Sequence, residues 1–583
     1  MGENSLIWYN LPLYFCESTA AKFVRDAGCA GQGFFATWAH EFSSRAAPAR
    51  ETGKGLNGWY NNQTFRTSWG GLKAVDKKKT FRIMSLPIAM PCKYVYTYEV
   101  CKLRNETGNA APDLATLRRR DLEGCNIETV LFPFSACILP LTAGFLYSWS
   151  SPFIVKITND KENYNITEDE ASYFTVIPPL AMAVTSFLLS RLNDIFGRKP
   201  TMYFIVVPYT VSLILAAVAK DVWVFYASRL FAGMGDGLVF STVPMYIGEV
   251  STPNVRGVWG NTLTFAIYLG QLGINVIGSY CSVAVTSYIC ICVPLVFLLL
   301  SFRVPESPYF YVMKGRFEEA KNSLRKLRGV EDVEEAFLQL KSDVHRQMSE
   351  TGTWKDLFCV DSNRRALFGG IFLRVSQQMA GIGAFTMYAQ YIFAKSGGDL
   401  SSEVSSIIFF GAICIFNVAG AYTVDIFGRR KSYIVSIFFC GVMHFIEALY
   451  FFAEQYDIGI DVTPLNWIPL TGLLFYVVFY SVGVGIVPTL MLGELFSASV
   501  KSKGLAILAI AFGVALCITT KVFHLMVTNF GLYSPFLLFS LSSLLSAVLA
   551  LYLVPETKGK TLEEIQQSLK SNKKAKLSVI EVR

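Results

Sequence analysis

The chain has 583 residues, of which 52% are hydrophobic and only 16% charged, and its formal net charge is +8. Soluble proteins carry about 25% charged residues, so this composition excludes an ordinary soluble domain and indicates an integral membrane protein. The basic residues lie in loops between apolar segments, which excludes a nucleic-acid surface, and the 13 cysteines lack metal-ligand spacing, so we expect no metal and no cofactor.

Residues 1–125 differ from the rest of the chain. They mix Gly, Trp and charged residues with apolar runs that are too short to span a bilayer. The beginning has no basic leader, so we predict no signal peptide. We interpret residues 1–125 as a disordered cytoplasmic extension, and the alternative is that part of this stretch is an error in the gene model.

About twelve apolar segments of roughly 20 residues follow, each long enough to span a bilayer as a helix. Six lie within residues 126–302 and six within residues 366–554. Residues 303–365 are charged and carry apolar side chains at helical spacing, which predicts short amphipathic cytoplasmic helices. Residues 555–583 would form a cytoplasmic tail. The predicted fold is an all-α membrane protein with twelve transmembrane helices in two six-helix, pseudo-symmetric domains.

Three short motifs occur twice in the same order, once in each half. They are Asp194-Ile-Phe-Gly-Arg198 and Asp425-Ile-Phe-Gly-Arg429, Gly248-Glu249 with Arg256 and Gly493-Glu494 with Lys501, and Pro305-Glu306 and Pro555-Glu556. Three ordered matches indicate a duplicated chain. Duplicated apolar halves are typical of transporters whose site lies between the halves.

The distribution of Lys and Arg predicts the orientation in the membrane. One set of loops is basic and includes Arg198, Arg429 and Lys558, whereas the alternate loops are acidic, as in residues 160–170. The positive-inside rule therefore places the basic loops and both termini in the cytoplasm. Asn165, in an Asn-Ile-Thr sequon, would then be external and open to glycosylation, whereas the sequons at Asn62 and Asn105 would not.

These motifs resemble the sugar porter family of the major facilitator superfamily, over about residues 127–570. The stretch from Pro555 to Thr561 is the most specific of them, and Tyr147–Pro152 is similar to the insect branch that includes facilitated trehalose transporters. The resemblance implies a twelve-helix bundle and a carbohydrate substrate. The sequence has no Walker loop, nucleophile elbow or metal constellation, so we predict that the protein is not an enzyme.

Acidic and basic residues of the repeated motifs lie at helix ends. The resemblance implies that they pair and hold the two domains together while the site faces outward, and separate when it faces inward. An exposed pair contributes about 0–1 kcal/mol, so several are needed and each breaks easily. The alternative is that these charges only fix the topology. The predicted gate residues are Asp194, Arg198, Glu249, Arg256, Glu306, Asp425, Arg429, Arg430, Glu494, Lys501 and Glu556.

Gln377 and Gln378 are the best candidates for contacting a substrate. Amide side chains both donate and accept hydrogen bonds, which suits sugar hydroxyls, and Gly381 allows close backbone approach. On the resemblance, Tyr388 also contacts the sugar. The alternative is that the glutamines only join helices through hydrogen bonds.

Three further candidate positions depart from the pattern of glucose carriers. Gly383 stands where those carriers usually have Asn, Thr264 where many have Gln, and Thr489 where Trp is usual. A site built for hydroxyl groups discriminates through such pairings, so the substrate could be a disaccharide or a polyol rather than glucose.

Four ionisable residues fall inside predicted spans, where they are costly and usually functional. Arg374 shares a helix face with Gln377 and Gln378, and we expect it to pair with an acid such as Asp236 or to meet the substrate. The alternative is that Arg374 binds helix-end carbonyls. His444 and Glu447, three residues apart, suggest a local pair within the bundle or a proton relay.

Proton-linked members of the family have an Asp at the position of Ser148. The absence of this Asp from the present sequence favours facilitated diffusion, or uniport, at the plasma membrane. A proton-coupled sugar symporter that uses Asp236 or Glu447 is the alternative, and a non-transporting sugar sensor on the same scaffold is a third possibility. The expected partners are a small carbohydrate and the lipid bilayer, with no nucleic acid, and the sequence does not indicate an oligomeric state.

Overall fold

The computed structural model describes residues 127–189, 191–251, 253–349, 352–397, 400–456, 463–497, 499–560 and 564–565. The predicted extension at residues 1–125, with its sequons at Asn62 and Asn105, lies outside the described residues. Most of the predicted tail beyond residue 560 and the side chains of Arg256 and Asp425 also lie outside them.

The first half of the described chain consists of helices joined by short connections. They are α1 (Ile127–Ala136), α2 (Ile138–Tyr147), α3 (Ser150–Asn159), α4 (Glu168–Leu189), α5 (Leu192–Ile195), α6 (Arg198–Val218), α7 (Val222–Val250), α8 (Pro253–Tyr280) and α9 (Val283–Ser301).

Four short helices follow between the two halves: α10 (Pro308–Met313), α11 (Phe317–Arg328), α12 (Glu334–Ser349) and α13 (Trp354–Cys359). The first three of them form a small apolar core of their own, which includes Leu324, Phe337 and Val344, whereas Leu357 of α13 belongs to the main core. Such a core is what the helical spacing of apolar residues in this charged segment predicts.

The second half begins with α14 (Asp361–Met379), which starts inside the segment predicted as the linker. The later helices are α15 (Ile382–Lys395), α16 (Ser402–Phe427), α17 (Arg429–Tyr456), α18 (Ile468–Val482), α19 (Val487–Glu494), α20 (Lys501–Phe530) and α21 (Tyr533–Leu553), with a 3₁₀ turn at Thr463–Leu465.

Eleven helical segments of the described chain are long and apolar enough to cross a membrane. The first of them, Phe132–Asn159, is built from parts of α1 to α3. A twelfth candidate is the pair α14 and α15, separated only by Ala380 and Gly381. The described residues form helices and no strands, which confirms the predicted all-α membrane fold and is consistent with twelve spans.

The pair α14 and α15 is the seventh span in chain order, and the break between its two helices has a clear local cause. Gly381 has a φ of +88°, in the left-handed region that other residues rarely adopt. A Cβ at this position would also approach the Phe385 and Phe539 rings to 2.6 and 2.8 Å. The chain therefore ends one helix and starts the next at a residue that only glycine fills easily.

The two halves pack against each other mainly through α4 with α20 and α8 with α16. Gly513 of α20 allows the first contact, because a Cβ there would lie 2.9 Å from the Ala183 Cβ and from the Pro179 carbonyl oxygen. We call the end of the bundle that holds the starts of α6 and α17 the basic end. The opposite end, where α4 starts and α20 finishes, is the acidic end.

Candidate substrate site and gates

The break in the seventh span presents two adjacent amide side chains. Gln377 and Gln378 lie in the last turn of α14 and both are buried. Gln378 Oε1 has no hydrogen-bond partner among the described residues. Gly383 leaves space beside it, since a Cβ at Gly383 would lie 2.8 Å from this oxygen and would collide with Leu516. Gln378 and Gly383, both predicted to contact the substrate, therefore lie together, and the Gln378 acceptor is unpartnered among the described residues.

Gln377 is held by polar groups of α14 and of the region around α18. Its Oε1 accepts a hydrogen bond from Arg374 Nη1 at 2.9 Å, and its Nε2 donates to the Val484 carbonyl at 3.0 Å and to the Tyr480 hydroxyl at 3.4 Å. Arg374 Nη1 also donates to Thr489 Oγ1 at 3.4 Å. The structure therefore brings together Arg374, Gln377 and Thr489.

Arg374 and Asp236 do not pair with each other in the structure. The Arg374 guanidinium lies 5.2 Å above the ring of Phe512, and its described partners are neutral. Asp236 Oδ1 instead accepts a hydrogen bond from the Tyr209 hydroxyl at 2.9 Å. The expectation that Arg374 pairs with an acid such as Asp236 is therefore not met, because each group has a nearer neutral partner.

A small cavity lies between the two halves. It measures about 10 Å³, room for a single water molecule, so a sugar could enter only after the halves separate. Both halves contribute to its wall. The lining residues are Tyr147, Pro178, Pro179, Met182, Asp236, Met387 and Leu516.

Two residues predicted to contact the substrate, Tyr388 and Thr264, do not line this cavity. Tyr388 of α15 forms a 3.1 Å hydroxyl contact with Thr175 Oγ1 of α4, and its ring stacks on His524 at 6.4 Å. Tyr388 therefore closes one half against the other in this structure. Thr264 is half-buried, and its hydroxyl donates at 3.5 Å to the Gly260 carbonyl of its own helix.

A polar seam, which sequence reasoning missed, joins α15 to the first half near the acidic end. Ser148 Oγ donates to the Thr386 carbonyl at 2.7 Å and accepts from Asn275 Nδ2 at 3.1 Å. The Gln390 backbone N–H donates to Ser151 Oγ at 3.3 Å, and Gln390 Nε2 donates to Ser279 Oγ at 2.7 Å. These contacts seal the acidic end through neutral hydrogen bonds.

A charged contact lies at the rim of the same seal. Lys521 Nζ of α20 lies 2.9 Å from Asp169 Oδ1 and donates to Ser172 Oγ at 2.8 Å, both on α4. The Tyr391 hydroxyl of α15 donates to Glu168 Oε2 at 3.0 Å. The start of α4 is thus held by two helices of the other half.

The first copy of the repeated motif forms a compact cluster at the basic end. Arg198 is 2% exposed, and its guanidinium lies 2.8 Å from Glu249 and 3.6 Å from Asp194. Ser307 Oγ donates to the second oxygen of Glu249. All these groups belong to the first half or to the segment that follows it.

Glu306, a predicted gate residue, caps a helix in this structure. Its carboxylate accepts the backbone N–H groups of Arg198 and Lys199, the first residues of α6, each at 3.1 Å. A helix start is a ready anion site. Burial raises the pKa of the Glu306 carboxyl, and these backbone N–H groups oppose the rise. Gly197, at φ +105°, permits the approach, since a Cβ there would collide with the carboxylate.

The second copy repeats this arrangement in the second half. Arg429 Nη2 lies 3.4 Å from Glu494, and Thr557 Oγ1 donates to Glu494 Oε2 at 2.5 Å. Glu556 accepts the backbone N–H groups of Arg429 and Arg430 at 3.1 and 3.2 Å, which caps α17. Gly428, with a φ of +89°, adopts a positive φ angle as its counterpart Gly197 does.

These two clusters each join parts of the same half. The ion pair of Arg198 with Glu249 and that of Arg429 with Glu494 do not connect the halves in this structure, whereas the pair of Lys521 with Asp169 does. Two remaining gate candidates also lie at the basic end: Arg430 Nη2 donates to the Leu551 carbonyl, and Lys501 begins α20. The side chains of Arg256 and Asp425 lie outside the described residues.

Two helical halves, a polar break in the seventh span and a duplicated charged cluster at one end are features of a multi-pass membrane protein with the major facilitator fold. The model of a family described as "Sugar (and other) transporter" matches residues 136–569, and the chain belongs to this family. This assignment confirms the resemblance that the motifs indicate.

The chain is similar to curated fly transporters. It is 30% identical over 460 residues to the facilitated trehalose transporter Tret1 of Drosophila erecta, covering 78% of this chain and 53% of that protein. It is 29% identical over 459 residues to Tret1 of Drosophila yakuba, with the same coverage. The chain therefore spans about half the length of these relatives.

Among solved structures, the chain is similar to the inward-open conformation of the xylose transporter XylE from E. coli. The TM-score is 0.62 at 22% sequence identity, and the match covers 75% of this chain and 98% of that one. At this identity the likeness establishes the shared fold.

Proposed function

We propose that this protein is a facilitative transporter, a uniporter, of a sugar such as trehalose or a hexose across the plasma membrane. The observation that carries the proposal is the pair Gln377 and Gln378 at the break of the seventh span, where Gln378 Oε1 is buried without a partner in the described chain. A sugar hydroxyl could donate to this oxygen. The names of the fly relatives support trehalose as the first substrate to test.

The arrangement of closed contacts supports alternating access. The seam around Ser148 and Thr386 and the ion pair of Lys521 with Asp169 join the halves near the acidic end. The charged clusters around Arg198 and Arg429 stay within their own halves. Breaking the acidic-end contacts and bringing the basic ends together would expose the site to the opposite side. We place the basic end and both termini in the cytoplasm.

Arg374 fits a role in contacting the substrate. Its guanidinium has five N–H donors, and the described hydrogen bonds, to Gln377 and Thr489, use one nitrogen. The side chain is half-buried, and Thr489 beside it is exposed. Arg374 would donate to substrate hydroxyls from the basic-end side of Gln377.

Asn165 fits a glycosylation site on the outer face. It is exposed in the connection between α3 and α4, at the acidic end. Its modification in cells would place the acidic end outside, and we expect the full chain to lose mass on treatment with a glycosidase, while Asn165→Gln does not.

A proton-coupled symporter is the second candidate, and one observation favours it. Asp236 lines the small cavity between the halves and has only the Tyr209 hydroxyl as its described hydrogen-bond partner. Ser148, where proton-linked relatives have an acid, donates its hydroxyl to the Thr386 carbonyl. Proton coupling would therefore depend on Asp236.

Uptake of labelled trehalose, glucose and a panel of polyols by cells that express the full chain tests both candidates. Saturable uptake of one sugar that does not change between neutral and acidic external pH supports a uniporter. Uptake that rises at acidic pH and loses this rise in Asp236→Asn supports the symporter. Sugar binding without uptake, with the chain present at the cell surface, contradicts both and favours a sensor.

A further inference from the structure

A buried acid and a buried imidazole lie directly behind the break in the seventh span. His444 and Glu447 are one turn apart on α17, and both are fully buried. His444 Nδ1 lies 3.8 Å from Glu447 Oε2, and this nitrogen and both Glu447 oxygens have no hydrogen-bond partner in the described part of the chain. Three unpartnered polar atoms at one buried place are costly unless they satisfy each other.

The other nitrogen of the imidazole reaches the break itself. His444 Nε2 lies 3.0 Å from the carbonyl oxygen of Ala380, between α14 and α15. Because a carbonyl oxygen only accepts, Nε2 carries the hydrogen, and Nδ1 of a neutral ring is an acceptor. The Tyr476 hydroxyl donates to the same carbonyl at 2.9 Å. The position of the break is therefore set from α17 and α18 together.

The pair is surrounded by uncharged groups. The rings that face His444 belong to Phe385, Tyr476, Phe536 and Phe539. The helices α18 and α21 pack most extensively on α17. Neither of them contains an Asp, Glu, Lys, Arg or His. Other buried titratable groups on these helices are neutral at pH 7: Tyr476 and Tyr480 of α18, and Tyr433, Cys440 and Tyr450 of α17. The acids of α16 and α19, which are Glu403, Asp425 and Glu494, lie at or near the ends of those helices.

An ionised Glu447 would thus be a buried charge without a counter-ion, which is strongly unfavourable in a membrane protein. The fold also makes room for this carboxyl group. Gly472 of α18 faces it, and a Cβ at Gly472 would lie 2.6 Å from Glu447 Oε1. The missing side chain at Gly472 leaves the space that the Glu447 carboxyl group occupies.

We propose that Glu447 is a neutral acid whose hydrogen is directed at His444 Nδ1, and that a side-chain movement of about 1 Å closes their 3.8 Å separation into a hydrogen bond. The chain from Glu447 through His444 to the Ala380 carbonyl then positions the break in the seventh span. Gln377 and Gln378 lie three and two residues before Ala380, so their placement depends on this chain. Glu447 and His444 are positioning residues. The effect on uptake rests on the proposed transport function, whereas the hydrogen-bond chain does not.

Infrared difference spectroscopy on the purified full chain tests the proton without any transport. At neutral pH we expect the wild-type protein to show the carbonyl stretch of a protonated carboxylic acid that Glu447→Gln lacks. His444→Phe should shift this band, because the acid loses its acceptor. A wild-type spectrum without the band, or a band that His444→Phe leaves in place, overturns the proposal.

Uptake tests the positioning role. Glu447→Gln keeps a donor for Nδ1, so we expect its KM within about twofold of the wild type, whereas Glu447→Leu should raise KM about tenfold, the effect of one buried hydrogen bond. Glu454→Leu, on the same helix but exposed, is the matched control. An equal rise in KM in Glu447→Gln and Glu447→Leu, or a normal KM in Glu447→Leu, contradicts the proposal. If Glu447→Leu does not reach the cell surface, the KM of Glu447→Gln and the infrared band of the protonated acid decide whether the proposal holds.

Discussion

Lys521 Nζ lies 2.9 Å from Asp169 Oδ1, and these two residues come from different halves of the chain, 352 positions apart. The contact sits at the acidic end, next to the polar seam that holds α15 against the first half. Asp169 is 67% exposed and Lys521 is 21% exposed, so solvent weakens their attraction. Such a pair is worth about 0–1 kcal/mol, enough to bias two states of similar free energy without locking either.

We therefore expect Lys521→Met to favour opening at the acidic end. The loss of up to about 1 kcal/mol corresponds to a shift of up to about fivefold in the ratio of the two states. Labelling of Met387→Cys, in the cavity wall, by an impermeant thiol reagent from the acidic side measures the shift. The charge-swapped double variant Asp169→Lys with Lys521→Asp should restore the original labelling rate. An unchanged rate in Lys521→Met would show that the pair does not contribute to closure.

Gly383→Ala should impair uptake because the added methyl group has no space. It would collide with Leu516 and lie 2.8 Å from Gln378 Oε1. Overpacking of this kind costs about 1–3 kcal/mol, or about 5–150-fold in affinity if it falls on the substrate-bound state. Leu516→Ala in the same chain should recover much of the loss.

Gly411→Ala is the control for this experiment, since a Cβ at Gly411 in α16 meets no atom within 4 Å. Concentration-dependent uptake, normalised to the amount at the surface, gives KM for each variant. If Gly383→Ala and Gly411→Ala behave alike, the space beside Gln378 is not part of the substrate site.

Arg374→Gln should weaken substrate binding. It removes a charged donor that bonds Gln377 and Thr489, and hydrogen bonds to charged groups contribute about 1.5–3 kcal/mol, so KM should rise by about 10–100-fold. Arg364→Gln is a matched control on the same helix, because Arg364 forms a half-exposed pair with Asp361 at 2.7 Å. Unchanged uptake kinetics in Arg374→Gln would exclude Arg374 from the site.

The two copies of the basic-end cluster should differ in their tolerance of substitution. Arg198 is 2% exposed, and its loss leaves the Glu249 carboxylate, only 12% exposed, without its counter-ion, which costs up to about 3–5 kcal/mol, the value for a buried pair. Arg429 and Glu494 are 17% and 29% exposed and 3.4 Å apart, so Arg429→Gln should cost about 1 kcal/mol. Thermal unfolding of the detergent-purified variants compares them. Equal losses would mean that burial does not set the strength of these pairs.

Much of the fold and of the basic end could be predicted because the signal is local. A long apolar segment identifies a span by itself, and each copy of the Asp-Ile-Phe-Gly-Arg motif contains the glycine and the arginine that its cluster needs. The structure adds the reason for the glycine: Gly197 and Gly428 adopt positive φ angles so that Glu306 and Glu556 can cap the next helix.

The acidic-end seal could not be predicted in the same way. Ser148 and Thr386 are 238 positions apart, and a serine or threonine in a helix can bond to a carbonyl of its own helix as well as to a neighbouring one. No spacing in the sequence indicates which serine faces which helix. The break at Gly381 had a local signal, the glycine itself, but an apolar pattern that continues on both sides predicts one continuous span.

The break also separates two tasks along a single stretch of chain. On one side of Gly381, α14 carries Arg374, Gln377 and Gln378, the groups proposed to recognise the substrate. On the other side, α15 carries Thr386, Tyr388 and Gln390, which close the acidic end. Gly383 belongs to both groups, since it lies in the first turn of α15 and borders Gln378 of α14. The seventh span therefore works as a hinge whose two arms carry recognition and closure and meet within a few residues of Gly381.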